Sequence, residues 1–283
     1  MSASSAASPA ASVERSAPSR PAALARPRAL RLTDGIAAMA QAELRKLRHD
    51  HLDIFTRSVQ PMLWLFVFGN ALAGRHVIQT GGIDYRAYLA PGVMAQAAMF
   101  LAIFYGLVVV WERDVGQLQR LLATPIPRSS IVLGKASGAA VRALIQAVLL
   151  LAILAIAQID IRWRPIELLA ALVMLALGTG AFASLSLLVA SIARSRERFM
   201  GIGQLIMMPL FFASSALYPL STMPGWLHVV ARVNPLTYEV QALRYLMIGG
   251  PGGGELWLDF LVVIGFFGAM VVAATKAYPR AIL

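Results

Sequence analysis

Apolar runs longer than about 18 residues recur along this chain, and each is long enough to cross about 30 Å of hydrocarbon as a helix. This recurrence limits the fold more than any other feature, because it makes the bilayer the solvent. Composition agrees: of 283 residues, 58% are hydrophobic and 14% charged, against roughly 25% charged in soluble domains. Length and apolar continuity place membrane spans at about 57 to 74, 88 to 111, 133 to 158, 166 to 192, 199 to 220 and 256 to 276. The expected fold is therefore all-α, a polytopic membrane protein with about six transmembrane helices. Span one is short and carries Pro61 near its start, so part of the preceding helix is expected to complete the crossing.

The formal net charge of +11 raises nucleic acid as a partner, but the placement of the charge argues against it. Arginine and lysine lie at the ends and in short links, with no basic helix or aromatic-basic stripe to track phosphates. They also divide unevenly between the two sets of links. One set holds Arg113, Arg120, Arg128, Lys135, Arg194, Arg196, Arg198, Lys276 and Arg280; the other holds only Arg75, Arg86, Arg162, Arg164, Arg232 and Arg244. Cytoplasmic links retain positive charge, so both termini are expected in the cytoplasm. With no cysteine, neither a disulfide nor a thiolate metal site is available.

Residues 1–32, rich in Ser, Ala, Pro and Arg, read as a disordered cytoplasmic tail, and residues 33–283 as one membrane domain. From Asp34 to about Phe55 the pattern is amphipathic, with Ile36, Ala40, Leu44 and Leu47 on one face beside Arg45, Lys46 and Arg48. Either an N-terminal interfacial helix in the headgroup plane or a helix packed on a soluble partner fits that pattern.

The link after span two is more patterned than a turn requires. Leu118, Leu121 and Leu122 form a ridge at i, i+3, i+4 on a short helix that Pro125 and Pro127 would end. That ridge suits insertion into a partner's groove, and equally an interfacial helix anchoring the loop. Before the last span, Asn234 is a good N-cap and Pro235 suits the first helical position, after which Tyr238, Ala242 and Tyr245 share a face.

Both segments carry a family likeness. Glu112-Arg113-Asp114, Gly116, the run from Leu118 to Pro125, and Leu133-Gly134-Lys135 resemble the cytoplasmic coupling segment of type-2 ATP-binding-cassette permeases, within them the drug and lipo-oligosaccharide exporter branch. The resemblance implies ATPase coupling for Glu112, Arg113, Asp114, Gly116, Leu118, Arg120, Leu121 and Leu122. Asn234-Pro235-Leu236-Thr237-Tyr238-Glu239, leading to Arg244, is similar to the family's sequence before its last span. It implies short re-entrant or interfacial helices on the non-cytoplasmic side, with Asn234, Pro235, Tyr238, Glu239 and Arg244 at the gate. A surface helix covering the bundle fits the same residues. The resemblance further implies cytoplasmic ATPase subunits, a second permease copy or a relative of it, and a bacterial plasma membrane.

The phosphate-binding pattern G-x-x-x-x-G-K-[ST] is absent: Gly134-Lys135 is followed by Ala136, and Ser129 stands where the first glycine belongs. ATP and Mg are therefore expected on the partner ATPase, with no cofactor, metal or catalytic residue in this chain. The four histidines are scattered. Arg142, within span three, either snorkels or contacts a partner or headgroup. Gln96, Gln146 and Gln204 face either an interior path or an ordinary bundle core. The expected function is the permease subunit of an exporter for a hydrophobic or amphipathic cargo, such as a drug, glycolipid or lipid-linked saccharide. The rival readings are a membrane-embedded lipid-modifying enzyme and a non-transporting scaffold.

Overall fold

A computed structural model describes residues 51–73, 82–116, 127–193, 195–249 and 255–277, with isolated positions between 33 and 45. The expected tail and most of the amphipathic segment from Asp34 to Phe55 lie outside these residues. Every regular element described is helical.

Four helices are long and apolar enough to cross a membrane: α3 (Tyr85–Asp114), α4 (Arg128–Ile156), α5 (Pro165–Ile192) and α9 (Leu256–Ala277). They fall where spans two, three, four and six are expected. Local chemistry sets their ends. Asp84 caps α3, its side chain accepting from the Arg86 N–H. Pro127 precedes α4, and Pro165 opens α5. A proline there loses no helical hydrogen bond, because the first N–H groups have no partner inside the helix.

The other two expected spans take different forms. The first falls on α1 (His51–Leu63), a π-helical turn (Trp64–Phe68) and α2 (Gly69–Ala73). Pro61, inside α1, removes one N–H from the ladder, and the widened turn follows within one helical turn of it. The fifth falls on α6 (Arg196–Phe212), which has 17 residues and stops short of the expected 220. Its last carbonyls are captured from outside: the Asn234 side-chain amide donates to Leu210 O at 2.7 Å and Ala213 O at 2.9 Å. Satisfied in this way, the chain turns away and continues through α7 (Gly225–Val233) and α8 (Pro235–Ile248).

Helix α5 is the hub, packing against α3, α4, α8 and α9. Small residues allow this close approach, as bilayer packing requires. At the α3–α5 crossing the Ser186 hydroxyl donates to the Ile103 carbonyl and accepts from Gly106 N at 3.1 Å. A methyl on Gly106 would overlap that hydroxyl oxygen. Gly180 lies against the Phe267 ring of α9, 3.1 Å from where its Cβ would be. The outward faces keep large apolar side chains exposed, among them Val148 on α4 and Leu261, Ile264 and Val272 on α9. In water such patches are a liability; against acyl chains they are the expected surface.

Candidate functional site

The ends of α3 and α5 lie together, Arg113 against Ala193, while the start of α4 meets the end of α3 through Lys135 and Glu112; α3 and α5 therefore run in the same direction and α4 opposite to both, so the bundle has two ends: a link end, where α3 stops and α4 begins, and a far end, where α3 begins.

At the link end, three consecutive residues of the last α3 turn reach three different neighbours. Successive side chains on a helix are about 100° apart, so a run of charges there splays outward. Glu112 accepts from Lys135 Nζ of α4 at 2.6 Å, with Lys135 only 1% exposed. Arg113 Nη1 donates to the Ala193 carbonyl just past α5 at 2.8 Å. Asp114 accepts from Arg196 Nε, in the first turn of α6, at 3.0 Å. The end of α3 is thereby clamped to α4, α5 and α6 together. Gly116 follows at φ +73°, a conformation that favours glycine, and turns the chain into the link. Leu118, Arg120, Leu121 and Leu122 lie outside the described residues. An apolar groove of about 440 Å³, lined by Phe104, Leu107, Val108, Trp111 and Arg196, opens beside the clamp.

At the far end, the Asn-Pro motif organises α8. The Asn234 side chain accepts from Leu236 N at 3.0 Å while its amide holds the end of α6. Pro235 occupies the first turn. Tyr238 donates to the Arg232 carbonyl at 2.6 Å, tying α8 back onto α7. Arg244 is 2% exposed, stacked 3.8 Å from the Tyr88 ring centroid, and donates to the Ser215 carbonyl at 2.8 Å. A buried guanidinium held by a ring face and a carbonyl joins α3, α8 and the turn after α6. Helix α8 is thus buried on most of its surface against α3, α5 and α9, and does not lie over the bundle.

Glu239 is the outlier of this end. It is 1% exposed, and neither carboxyl oxygen has a hydrogen-bond partner. The group lies against Gly178 of α5, where a Cβ would overlap the carboxyl itself. A carboxyl buried among helices without a partner is costly, so Glu239→Gln is expected to leave the thermal midpoint of the chain in lipid nanodiscs unchanged or raised; a large loss would refute the assignment.

Three relationships escape the sequence. Lys135 reads there as part of a motif and of the charge bias, not as the partner of Glu112; its position near the start of an apolar run is the available signal. Gly178 reads as a packing glycine, and its role as the seat of Glu239 depends on a contact from a different helix, far along the chain. Nothing local marks Arg162, whose guanidinium lies over Gly249 and whose N–H donates to the Met247 carbonyl at 2.6 Å. Arg142, open on sequence alone between snorkelling and a partner contact, lies over the Tyr105 ring of α3 at 5.6 Å.

Together these features define a multi-helix integral membrane protein whose most buried long helix is clamped by charge at one end and meets an inserted short helix at the other. The ABC-2 type transporter model matches residues 35–248. Nodulation protein J of Rhizobium leguminosarum bv. trifolii is 34% identical over 194 residues, covering 68% of this chain and 72% of the relative. The putative transport permease ycf38 of Porphyra purpurea is 30% identical over 194 residues, covering 66% of this chain and 65% of that protein. This chain belongs to the ABC-2 type transporter family, and is a membrane transport permease.

Proposed function

We propose that the chain is the transmembrane half of an ATP-driven exporter for a hydrophobic or amphipathic cargo. ATP and Mg are bound by cytoplasmic ATPase subunits, and a second permease, this chain or a relative, completes the path. The link end faces the cytoplasm with both termini, in the plasma membrane of a bacterium. The observation that carries this reading is the clamp of Glu112, Arg113 and Asp114 onto α4, α5 and α6, directly before the 117–126 link. A push on that link moves the end of α3, and through the clamp three further helices move with it. A loop that only anchored the chain would need no such three-way connection.

Leu118, Leu121 and Leu122 supply the ridge on which the ATPase bears, with Arg120 as a flanking charge, and Gly116 supplies the turn that presents it. At the far end, Asn234, Pro235, Tyr238, Glu239 and Arg244 form the outer gate. The test is ATP turnover by the candidate ATPase reconstituted with native chain, Glu112→Ala or Leu121→Asp. Native chain is expected to change turnover several-fold. Both variants should lose that change or fail to assemble, since an interface contact of about 2 kcal/mol corresponds to roughly thirtyfold in affinity. Failure of the native chain to associate with any ATPase would overturn the reading in favour of a lipid-modifying enzyme or a scaffold.

A further inference from the structure

Between α1, α3 and α4 lies a cavity of about 90 Å³ lined by Gln60, Pro61, Gln96 and Gln146 together with Phe100 and Phe104. Gln96 stands some three turns in from the start of α3 at Tyr85, and Gln146 some three turns back from the end of α4 at Ile156. At about 5.4 Å per turn both lie about 16 Å below the far end, close to the middle of a hydrocarbon core of roughly 30 Å. Pro61 meets them there from α1, and a proline offers no N–H to the carbonyl four residues before it. The π-helical turn Trp64–Phe68 begins directly after α1. A backbone ladder interrupted in hydrocarbon has to be completed locally, and neighbouring side chains and ordered water are the groups that do so.

Gln96 is 3% exposed, and its Oε1 accepts from no group of the protein. A buried acceptor on a cavity wall calls for a donor inside the cavity. Volume decides what that donor is: 90 Å³ holds roughly three waters at about 30 Å³ each, and no lipid or drug head group fits in it. Charge disfavours a cation. Among the described residues no carboxylate lines the cavity, and Arg142 stands one helical turn from Gln146 on α4. Cavities with purely apolar walls stay dry, but this one is walled by three amides, each able to donate to water and accept from it.

We propose that the cavity is a mid-membrane hydration site, whose small water cluster completes the interrupted backbone of α1 and makes Pro61 a hinge. The π-helical turn beyond Pro61 carries Trp64, which stacks on Phe68 at 4.4 Å and meets the Phe211 ring of α6 edge-on at 5.8 Å. Water re-forms its hydrogen bonds as a helix changes its bend, whereas a direct side-chain bond holds one angle. The Trp64 arm is then free to follow the end of α6 with no backbone group stranded in hydrocarbon. The hydration site is independent of ATPase recruitment, since it depends only on the cavity wall and the break in α1.

The test uses the full chain with isotope-labelled glutamine in phosphatidylcholine bilayers, and solid-state NMR that reads the transfer of magnetisation from water to side-chain amides. Gln96→Leu identifies the Gln96 signal by its loss; if that variant does not fold, Gln96→Asn identifies it in the same way. The native Gln96 amide is expected to receive magnetisation from water as quickly as that of Gln158, exposed just past the end of α4. Transfer several-fold slower than at Gln158 means a dry cavity and overturns the site. Hydrogen exchange of the backbone from Ser58 to Gly69 reads the hinge. Pro61→Ala, which supplies the missing N–H, should slow that exchange about fivefold, the worth of one backbone hydrogen bond, and unchanged exchange overturns the hinge. Thermal midpoints give an independent sign. In a wet cavity Gln96→Leu deprives the remaining water of a partner and lowers the midpoint. In a dry one it removes an unpaired carbonyl and raises the midpoint, and a rise overturns the site.

Discussion

Lys135→Met is expected to destabilise the folded chain by about 3–5 kcal/mol, the largest effect of any single side chain at the link end. The substitution preserves the length and apolar character of the lysine stem, so packing along α4 changes little. What it removes is the ammonium 2.6 Å from Glu112, leaving a carboxylate whose residue is 7% exposed without that partner. An uncompensated buried charge costs more than the pair was worth, because the desolvation of the survivor is no longer offset. The double variant Lys135→Met with Glu112→Leu removes both charges and is expected to recover to within about 1–2 kcal/mol of native, as replaced buried pairs commonly do. The measurement is the thermal midpoint of monodisperse protein for native chain, both single variants and the double. Additive losses would show that the two groups do not interact. The double variant also separates structure from transmission: restored stability with no restored effect on ATP turnover assigns the pair to coupling.

Gly92→Ala is expected to be the most damaging single methyl at the far end, with a loss of about 3 kcal/mol or more, at or beyond the usual range for overpacking. A Cβ there would overlap the Ala216 carbonyl oxygen and come within 2.9 Å of two further backbone atoms of Ala216. Backbone does not rotate aside as a flexible side chain does, so α3 would have to separate from the turn that follows α6. That turn also carries the Ser215 carbonyl to which Arg244 donates, so the displacement spreads to α8. Gly201→Ala is the control. Its Cβ would meet nothing within 4 Å, and it lies inside α6. Alanine is favoured over glycine in a helix interior by roughly 0.5–1 kcal/mol, so this variant should be stabilised. The contrast in sign, read as thermal midpoints in one lipid, is the discriminating result; equal losses at both positions would contradict the packing described.

The long helices are legible because a run such as 166–192 needs only its own residues to declare itself, and α5 spans Pro165–Ile192. Caps are legible for the same reason: Asn234 and Pro235 act on the backbone close beside them. Where sequence falls short, the deciding partner lies elsewhere in the chain. The end of α6 is set by the Asn234 amide, well beyond the apolar run itself, and no pattern within 199–220 reveals it. Helix α8 carries Thr237, Glu239 and Arg244, polar residues that on sequence alone also fit a surface helix covering the bundle, yet all three are buried. Their burial depends on a ring from α3, a carbonyl after α6 and a glycine of α5, none of them close in sequence. The charges at 112–114 are marked by likeness to a family, but the three helices they grip become visible only once α3 is set among its neighbours.

Asn234 holds carbonyls at the end of α6 with its nitrogen and the Leu236 N–H of α8 with its oxygen. Two helices joined through one planar amide have lost the freedom to tilt separately, and behave as the arms of a bell crank pivoted on that group. Aspartate at 234 would keep one arm attached and release the other, turning a linked motion into two independent ones without shortening either helix.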